Sequence, residues 1–357
     1  MTPPHKRKPE NKGLPKRWTL AHGAYYYYVP KGLEHLWDNK KMFRLGKTLP
    51  EAYRVWTDRI EAQANVKKIK DLLDRYLIEV VPGKAPRTQE ENRKAMPRLR
   101  SVFGEMGLNA VKPRHVYQYV EKRKARTSSH REIAVLSHAL TKAVEWGYID
   151  RHPFKGEIRL VGEKPRTRYV EDWEILECLN LPANRQKGSV LVIQAYIKIK
   201  LMTGMARSDL LRLSQSDLKD DGIHIQRHKT RKSSGKRTIY EWTPELKEAV
   251  EFAKSIRPIA ISPFLFCNRE GHCYINEETG KASGWDSMWQ RFITRVLRET
   301  NITERFTEHD LRAKCASDAE SLEQARGLLS HADAKTTESI YRRKPERVKP
   351  LKGVGKV

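Results

Sequence analysis

Cysteine is scarce and the sequence contains no long apolar run. Only 4 of the 357 residues are cysteine, and they are scattered along the chain. A disulfide scaffold is therefore excluded, and we expect free thiols in a reducing compartment. No apolar stretch approaches the roughly 20 residues that a membrane-spanning helix needs, and the first residues lack the apolar core of a secretory signal. These absences indicate a cytosolic protein without a membrane partner.

Metal-ligand patterns are also lacking. Cys267 and Cys273 flank His272, but a zinc site needs more ligands than the surrounding sequence offers. We therefore predict neither a metal ion nor a cofactor.

Acidic residues are far outnumbered by basic ones. The 70 lysines and arginines against 44 aspartates and glutamates give a formal net charge of +26 and an isoelectric point near 9.9. This surplus is larger than solubility requires, so a polyanionic partner, above all nucleic acid, is the simplest explanation. A merely solvated basic surface and a membrane face are the alternatives that charge alone leaves open.

The amino-terminal part divides into a basic arm and a small sheet. Residues 1–17 combine several prolines with lysine and arginine, which is typical of a disordered arm that contacts phosphates. Residues 18–20, 25–29 and 41–45 are β-rich runs, and residues 49–64 have the apolar spacing of a helix. We predict a three-stranded sheet covered by one helix, forming a domain over residues 18–64. The candidate DNA contacts of the arm are Lys6, Arg7, Lys8, Lys16 and Arg17.

Residues 65–155 have the pattern of an all-helical domain. Thr88 with Glu91 and Ser129 with Glu132 have the spacing of capping boxes, so we predict helix starts at Thr88 and Ser129. The polar faces carry a basic run, which is usually only a solvated face but which also suits phosphates. Its candidate DNA contacts are Lys122, Arg123, Lys124, Arg126 and Arg131.

A basic linker over residues 156–168 joins this domain to a third one over residues 169–344. Arg166 and Arg168 in the linker are further candidate DNA contacts. A lysine-rich tail follows over residues 345–357.

The third domain mixes helices with a hairpin. Residues 190–202 are predicted as a buried helix, and residues 285–297 have the period of a core helix. Residues 223–226 and 237–242 alternate as two strands. The predicted fold class is therefore multidomain α+β, with a small three-stranded sheet domain, an all-helical domain and a mixed, mainly helical domain.

Four side chains near the carboxyl end together suit the cleavage of a phosphodiester. Arg312 has a planar set of donors that matches phosphate oxygens. His309 and His331 can donate to a phosphoryl oxygen or transfer a proton near neutral pH. The hydroxyl of Tyr341 can attack phosphorus and hold it covalently. Each residue alone is more often structural, so the prediction depends on their occurrence together.

The order of these residues resembles the carboxyl-terminal motifs of the tyrosine recombinase family, the phage-type integrases. The shared patterns are His-x-x-Arg at residues 309–312, Leu-Leu-Ser-His at 328–331 and Thr-x-x-x-x-Tyr at 336–341. Residues 226–230 resemble the hairpin that holds the active-site lysine of the family. The resemblance implies a DNA breaking-rejoining fold, preceded by arm-type and core-type DNA-binding domains.

The resemblance also implies a role for each side chain. Tyr341 would be the nucleophile, and Lys229 would protonate the leaving oxygen. His309 would accept the proton of Tyr341, while Arg312 and His331 would hold the non-bridging oxygens.

One position departs from the family pattern. The family has an arginine three residues after the threonine of a Thr-Gly motif, and here that place is Ala206, with Arg207 next to it. We predict that Arg207 serves as this phosphate clamp, since an irregular turn after Gly204 would allow one residue of slack. Asp209 stands where the family has an acid that braces the site, although an ordinary helix ion pair is equally compatible.

The implied function is site-specific DNA recombination through a 3′-phosphotyrosine, without ATP, in the integration or excision of a phage or mobile element. The implied partners are double-stranded DNA with core-type and arm-type sites, three further copies of the chain in a homotetramer, and DNA-bending proteins in a bacterial cytoplasm or nucleoid. The tail is hypothesised to pack on a neighbouring copy. Alternatives are a relaxing enzyme like type IB topoisomerases and a catalytically impaired DNA-binding relative, which Ala206 makes credible.

Overall fold

The computed structural model describes residues 11, 13–62, 66–162, 164–231 and 235–345. The chain divides into two compact units, Met1–Glu163 and Lys164–Val357, which we call the N-terminal and C-terminal units. The division falls within the predicted linker. The arm candidates Lys6, Arg7 and Lys8 and the predicted tail from residue 346 onward lie outside the described residues.

The N-terminal unit begins with a three-stranded antiparallel sheet. Its strands are β1 (Trp18–Ala21), β2 (Ala24–Tyr28) and β3 (Met42–Gly46), in the order β1-β2-β3. Helix α1 (Leu49–Ala62) follows β3 and packs against it. Neighbouring tyrosines show the alternation of a strand with one covered face, because Tyr27 is buried and Tyr28 is exposed. The predicted small sheet is confirmed.

Four helices complete this unit: α2 (Ile69–Glu79), α3 (Pro86–Phe103), α4 (Pro113–Lys122) and α5 (Arg126–Glu145). Their apolar faces form one core because leucine and aromatic side chains recur at helical spacing. The fully buried members include Leu72, Leu73, Tyr76, Leu99, Phe103, Val116, Leu136 and Leu140.

Both predicted capping boxes in this unit are wrong. Helix α3 begins at Pro86, before Thr88, since proline is favoured in the first turn of a helix. Helix α5 begins at Arg126, so Ser129 lies inside it, and its hydroxyl donates to the Arg126 carbonyl at 2.7 Å. A serine in a helix can satisfy itself in this way, which sequence spacing does not reveal.

The C-terminal unit surrounds a mainly apolar and largely buried helix, α7 (Ser189–Thr203). The other elements are α6 (Asp172–Asn180), α8 (Arg207–Leu210), β4 (Leu218–Lys219), β5 (Gly222–Gln226), β6 (Arg237–Glu241), α9 (Pro244–Ser255), α10 (Ser283–Glu299), α11 (Glu308–Asp318), α12 (Leu322–Leu328) and α13 (Ala334–Thr336). A π-helical turn, Thr337–Tyr341, follows α13 directly. The predicted hairpin is extended by β4 into a three-stranded antiparallel sheet.

The turn after α7 brings distant segments close together. Gly204 has a φ of 61°, in the left-handed region that favours glycine. A side chain there would also collide, because an added Cβ would lie 2.9 Å from Leu329 Cδ2 and 3.1 Å from Cys315 Sγ. The close approach lets the Gly204 backbone meet α11 and the segment after α12. Among the described residues, no helix combines the length and apolarity that a membrane span requires.

Candidate active site

Helix α11 carries two of the predicted site residues on one face. Thr307 precedes the helix and forms a capping box with Asp310, whose carboxylate accepts from the Thr307 backbone and hydroxyl at 2.8 Å each. His309 and Arg312 follow at a spacing of three residues, which places them side by side on a helix. The cap therefore fixes where this pair begins.

Arg312 is buried and held by backbone carbonyls. One terminal nitrogen donates to the Gly204 carbonyl, and the other donates to the Leu329 carbonyl at 2.8 Å. Its guanidinium carbon lies 5.4 Å from the centre of the Tyr341 ring. Only 4% of the residue is exposed. These contacts fix the guanidinium beside the tyrosine before any ligand binds.

His331 links Arg312 to the π-helical turn. Its Nε2 lies 3.1 Å from Arg312 Nη2, and its Nδ1 lies 2.8 Å from the hydroxyl of Thr337. Because a guanidinium only donates, Nε2 is the acceptor and Nδ1 carries the proton in the neutral ring. Burial, and after it the charges of Arg312 and Arg227, lower the pKa of His331 to about 4. The ring is therefore neutral at physiological pH.

Tyr341 lies between the two histidines. Its hydroxyl oxygen is 3.0 Å from His309 Nε2, and its ring centre is 4.9 Å from that of His309 and 5.2 Å from that of His331. The side chain is partly exposed. The predicted nucleophile, both histidines and Arg312 are thus brought together.

Arg343 approaches His309 from the other side. Its Nη2 lies 3.3 Å from His309 Nδ1, and its Nη1 forms a buried ion pair with Asp310 at 2.6 Å. Since Arg343 only donates, this contact favours the tautomer in which Nε2 of His309 carries the proton and donates to Tyr341. Desolvation, followed by the charge of Arg343, lowers the pKa of His309 to about 4.

The structure places Arg207 among carboxylates. Its Nη2 lies 2.6 Å from Asp286 and its Nε lies 3.4 Å from Glu308. No contact of Arg207 with Arg312, His331 or Tyr341 occurs among the described side chains. The assignment of Arg207 as a clamp stays a prediction, and both of these partners compete with a phosphate for it.

The hairpin side contributes three cations, Arg227, Lys229 and Lys236. We call these three together with Arg312 of α11 the cation cluster. Lys229 is exposed in a short 3₁₀ helix, His228–Thr230, and Lys236 Nζ donates to the His331 carbonyl at 2.8 Å. Charges of all four lower the pKa of His331.

Arg227 and Asp209 meet at the edge of this cluster. Arg227 Nη1 donates to the Ser330 carbonyl at 3.3 Å, and its Nε lies 3.9 Å from Asp209 Oδ2. Asp209 Oδ1 accepts from the His228 backbone at 3.0 Å. Asp209 thus contacts the backbone at the start of the Lys229 segment, and its role as a bracing acid stays a prediction.

Several candidate DNA contacts already have protein partners. Arg123 pairs with the buried Glu132 at 3.2 Å, Arg168 pairs with Glu174, and Arg166 pairs with Asp310 at 3.1 Å. The remaining described candidates are exposed: Lys16, Arg17, Lys122, Lys124, Arg126 and Arg131.

Sequence reasoning missed Arg227, Arg343 and Lys200. Lys200 is fully buried in α7, and its Nζ donates to the Met205 carbonyl at 2.8 Å. Burial lowers the pKa of Lys200 to about 7. A lysine in an otherwise apolar helix was the available signal for it, and for Arg227 the signal was its position two residues before Lys229.

The cysteines carry no site of their own. Cys178, Cys267 and Cys315 are buried, Cys273 is partly buried, and all four are free thiols. In the ranges that the structure covers, no cluster of three or more His, Cys, Asp or Glu side chains suits a metal ion.

Comparison with known proteins gives a family and a fold. Residues 174–347 match the model of the phage integrase family. No match was found among the curated proteins. The matched segment contains all the residues that converge on Tyr341.

Solved structures with the same fold cover most of the chain. A lambda integrase dimer bound to a COC' core site has 18% identity and a TM-score of 0.58, covering 97% of this chain and 99% of its own. A lambda integrase tetramer bound to a Holliday junction has 17% identity and a TM-score of 0.54, covering 90% and 97%. The Tn1549 transposon integrase in complex with transposon right end DNA has 15% identity and a TM-score of 0.57, covering 76% and 93%. At these identities the likeness shows the fold alone.

Proposed function

We propose that this chain, whose residues 174–347 belong to the phage integrase family, is a site-specific tyrosine recombinase that cuts and rejoins DNA through a 3′-phosphotyrosine. The observation that carries the proposal is the convergence of Tyr341 with Arg312 and two histidines. The four side chains come from three separate segments of the chain. Packing of a hydrophobic core does not explain why they surround an exposed hydroxyl, whereas catalysis at that hydroxyl does.

The reaction would consist of two transesterifications. The Tyr341 phenol gives up its proton to solvent and its oxygen attacks the scissile phosphorus; the bond from phosphorus to the 5′-oxygen breaks, and Lys229 gives that oxygen a proton. A 5′-hydroxyl from a partner strand then gives its proton to the neutral Lys229 and attacks the phosphotyrosine, the phenolate leaves and takes a proton from solvent, and the strands are joined. One phosphoester bond forms as another breaks in each step, so no ATP is required.

Arg312 would hold the non-bridging oxygens of the phosphate. A fixed guanidinium in a site shielded from water stabilises the charge that develops there, and removal of one such donor typically costs on the order of 10²- to 10³-fold in rate. His331 would act as the positioning residue of Arg312, because its Nε2 accepts from that guanidinium. The predicted role of His331, donation to a non-bridging oxygen, would require the tautomer in which Nε2 carries the proton.

His309 would stabilise the phenolate that attacks. An ordinary phenol has a pKa near 10, so few molecules are ionised at neutral pH unless neighbouring groups favour the anion. The tautomer that Arg343 favours gives His309 a proton on Nε2 to donate to the phenolate oxygen. The predicted role as proton acceptor would require Nε2 to be free, against the contact with Arg343.

The wider assembly is part of the proposal. Exchange of strands between two duplexes needs four active sites, and a lambda integrase of the same fold is a tetramer on a Holliday junction. We propose double-stranded DNA with core-type and arm-type sites as the partner. The proposed setting is phage or mobile-element recombination in a bacterial cytoplasm or nucleoid, with DNA-bending proteins as helpers.

A second function, DNA binding without efficient cleavage, is favoured by one observation. Ala206 leaves the family position without an arginine, and the adjacent Arg207 is engaged by Asp286 and Glu308. This reading expects tight duplex binding and little covalent product.

A nicked duplex tests the proposal. The full chain is first used to select its binding sequence from a DNA library. A nick is then placed beside the crossover, so that cleavage releases the short fragment that bears the new 5′-hydroxyl and this fragment diffuses away. We expect a covalent protein-DNA adduct in the native chain and its absence in Tyr341→Phe, with transfer to an added strand bearing a 5′-hydroxyl. Adducts that persist in Tyr341→Phe contradict the proposal, and binding without adduct supports the second function.

A further inference from the structure

Arg227 occupies an unusual electrostatic position for a residue near a surface hairpin. Its side chain is only 14% exposed. Its Nε has no hydrogen-bond partner in the described part of the chain, and neither does Asp209 Oδ2, which is 3.9 Å away. A buried guanidinium is costly unless its donors are satisfied, so this arrangement calls for a ligand.

The surroundings of Arg227 are predominantly positive. Desolvation and, after it, the charge of Arg312 lower the pKa of Arg227. Lys236 and Lys229 add to the same field at His331, while the one ion pair of Arg227 within the described ranges is the 3.9 Å contact with Asp209. Arg227 and Arg312 are largely shielded from water, so their like charges repel each other, and an anion bound between them would relieve the repulsion.

Arg227 lies within electrostatic range of the nucleophile. Arg227 interacts electrostatically with Tyr341 as well as with Arg312, whose guanidinium carbon is 5.4 Å from the Tyr341 ring. Arg227 Nη1 donates to the carbonyl of Ser330, and Arg312 Nη2 donates to the carbonyl of the preceding residue, Leu329. Two guanidinium groups anchored to successive carbonyls could each donate to one of the two non-bridging oxygens of a phosphodiester.

The two other cations near the Thr-Gly turn are less suited. Arg207 has two carboxylate partners, Asp286 and Glu308. Lys200 is 1% exposed and directs its Nζ to the Met205 carbonyl, so it has no route to a DNA backbone.

We propose that Arg227 is a catalytic residue, the second guanidinium that contacts the scissile phosphate, and that it takes the place of the arginine missing at position 206. This inference rests on the proposed function. It identifies the strand end after β5, and not the turn at Arg207, as the source of the second clamp.

The test compares two substitutions of arginine by alanine on the selected nicked duplex. We expect Arg227→Ala to slow adduct formation on the order of 10²- to 10³-fold and Arg227→Lys to slow it less. Arg207→Ala, the rival clamp, is expected to slow adduct formation less than Arg227→Ala does, and Arg212→Ala, whose side chain pairs with the exposed Glu277 at 3.0 Å, is the matched control. Introducing Ala206→Arg into the Arg227→Ala chain should recover part of the loss. A larger loss of rate in Arg207→Ala than in Arg227→Ala overturns the inference.

A neutral phosphate separates a catalytic role from a structural one. A methylphosphonate at the scissile position removes one negative charge, so the penalty of Arg227→Ala should shrink by at least tenfold relative to the ordinary duplex. An equal penalty on both duplexes means that Arg227 only holds the Ser330 segment, and it overturns the inference. Thermal unfolding and duplex binding of each variant identify any loss that comes from misfolding.

The outcomes for the two proposals are distinct. A native chain that forms no adduct on any selected duplex contradicts the recombinase function and removes the basis of the Arg227 assignment. A native chain that forms the Tyr341 adduct, with Arg227→Ala as fast as the native chain, leaves the function standing and refutes only the role of Arg227.

Discussion

The turn that carries Arg207 and the strand end that carries Arg227 are built from similar residue types but have opposite surroundings. Arg207 has two carboxylates within 3.4 Å. Arg227 has one distant carboxylate and lies among other cations. The first arrangement is satisfied without a ligand, whereas the second is satisfied only when an anion arrives. The surroundings of a charged residue thus indicate its role better than its distance along the chain from a motif.

Among substitutions in the cation cluster, removal of the Arg312 side chain should slow adduct formation the most. Arg312→Ala leaves the phosphate without its most firmly anchored donor, so we expect adduct formation to fall on the order of 10²- to 10³-fold. The matched control is Arg212→Ala, whose side chain pairs with an exposed Glu277 at 3.0 Å. A control that loses as much as Arg312→Ala would mean that positive charge in general, and not the cluster, matters.

Replacement of His309 tests the tautomer that Arg343 favours. Glutamine has an amide N–H that can donate to Tyr341 but cannot take up a proton, so His309→Gln should stay within about tenfold of the native rate, while His309→Ala loses on the order of 10²-fold. Rates of adduct formation measure both. If glutamine is as poor as alanine, His309 acts as a proton acceptor, as the sequence alone suggested.

The burial of His331, and after it the surrounding cations, predict that the protein loses stability in acid. Its folded pKa of about 4 lies below the ordinary value of 6.5, so the unfolded chain binds the proton more readily. Stability from this group is full above about pH 6.5 and is lost as the pH falls toward 4. We expect the free energy of unfolding to drop by about 2 kcal/mol between pH 7 and pH 5 from His331.

Denaturant unfolding of the native chain and of His331→Gln at the two pH values isolates this contribution. Glutamine keeps an acceptor for Arg312 but does not titrate, so the variant should lose less stability on acidification. Equal losses in both chains would show that His331 is not held neutral by its surroundings.

The N-terminal unit allows a smaller version of the same comparison. Lys122 is exposed, whereas Arg123 pairs with the buried Glu132. Lys122→Ala should lower the slope of log affinity against log salt by roughly 0.9 without changing stability. Arg123→Ala should lower the midpoint of thermal unfolding, because the buried Glu132 loses one of its cationic partners, and leave the slope unchanged. Filter-binding titrations and thermal unfolding measure the two quantities, and an exchange of the two results would contradict the assignment.

Periodicity and turn chemistry in the sequence predicted much of the fold. The three strands around Tyr25–Tyr28 and the hairpin before Trp242 have the alternation of strands, and Trp285 and Trp289 have the spacing of a buried helix face. The helix starts were harder to predict from the sequence. The Ser129 hydroxyl, for example, donates to a backbone carbonyl inside the helix and does not cap its start. Local spacing cannot distinguish that arrangement from a cap.

The site was predictable only in part, for a similar reason. Tyr341, His309, Arg312 and His331 belong to short motifs whose chemistry can be read locally. Arg227 acquires its role through Ser330, which is 103 positions away in the chain. Arg343 likewise depends on Asp310, 33 positions away. Side chains defined by long-range contacts carry no local signal strong enough to find them.

The most direct test of the account identifies the atom that holds the DNA. The covalent adduct formed on the nicked duplex is digested with protease and nuclease, and the modified peptide is sequenced by mass spectrometry. The account predicts a nucleotide 3′-phosphate attached to Tyr341 and to no other residue. A nucleotide on another side chain, or unmodified Tyr341 in an adduct that has demonstrably formed, would contradict it.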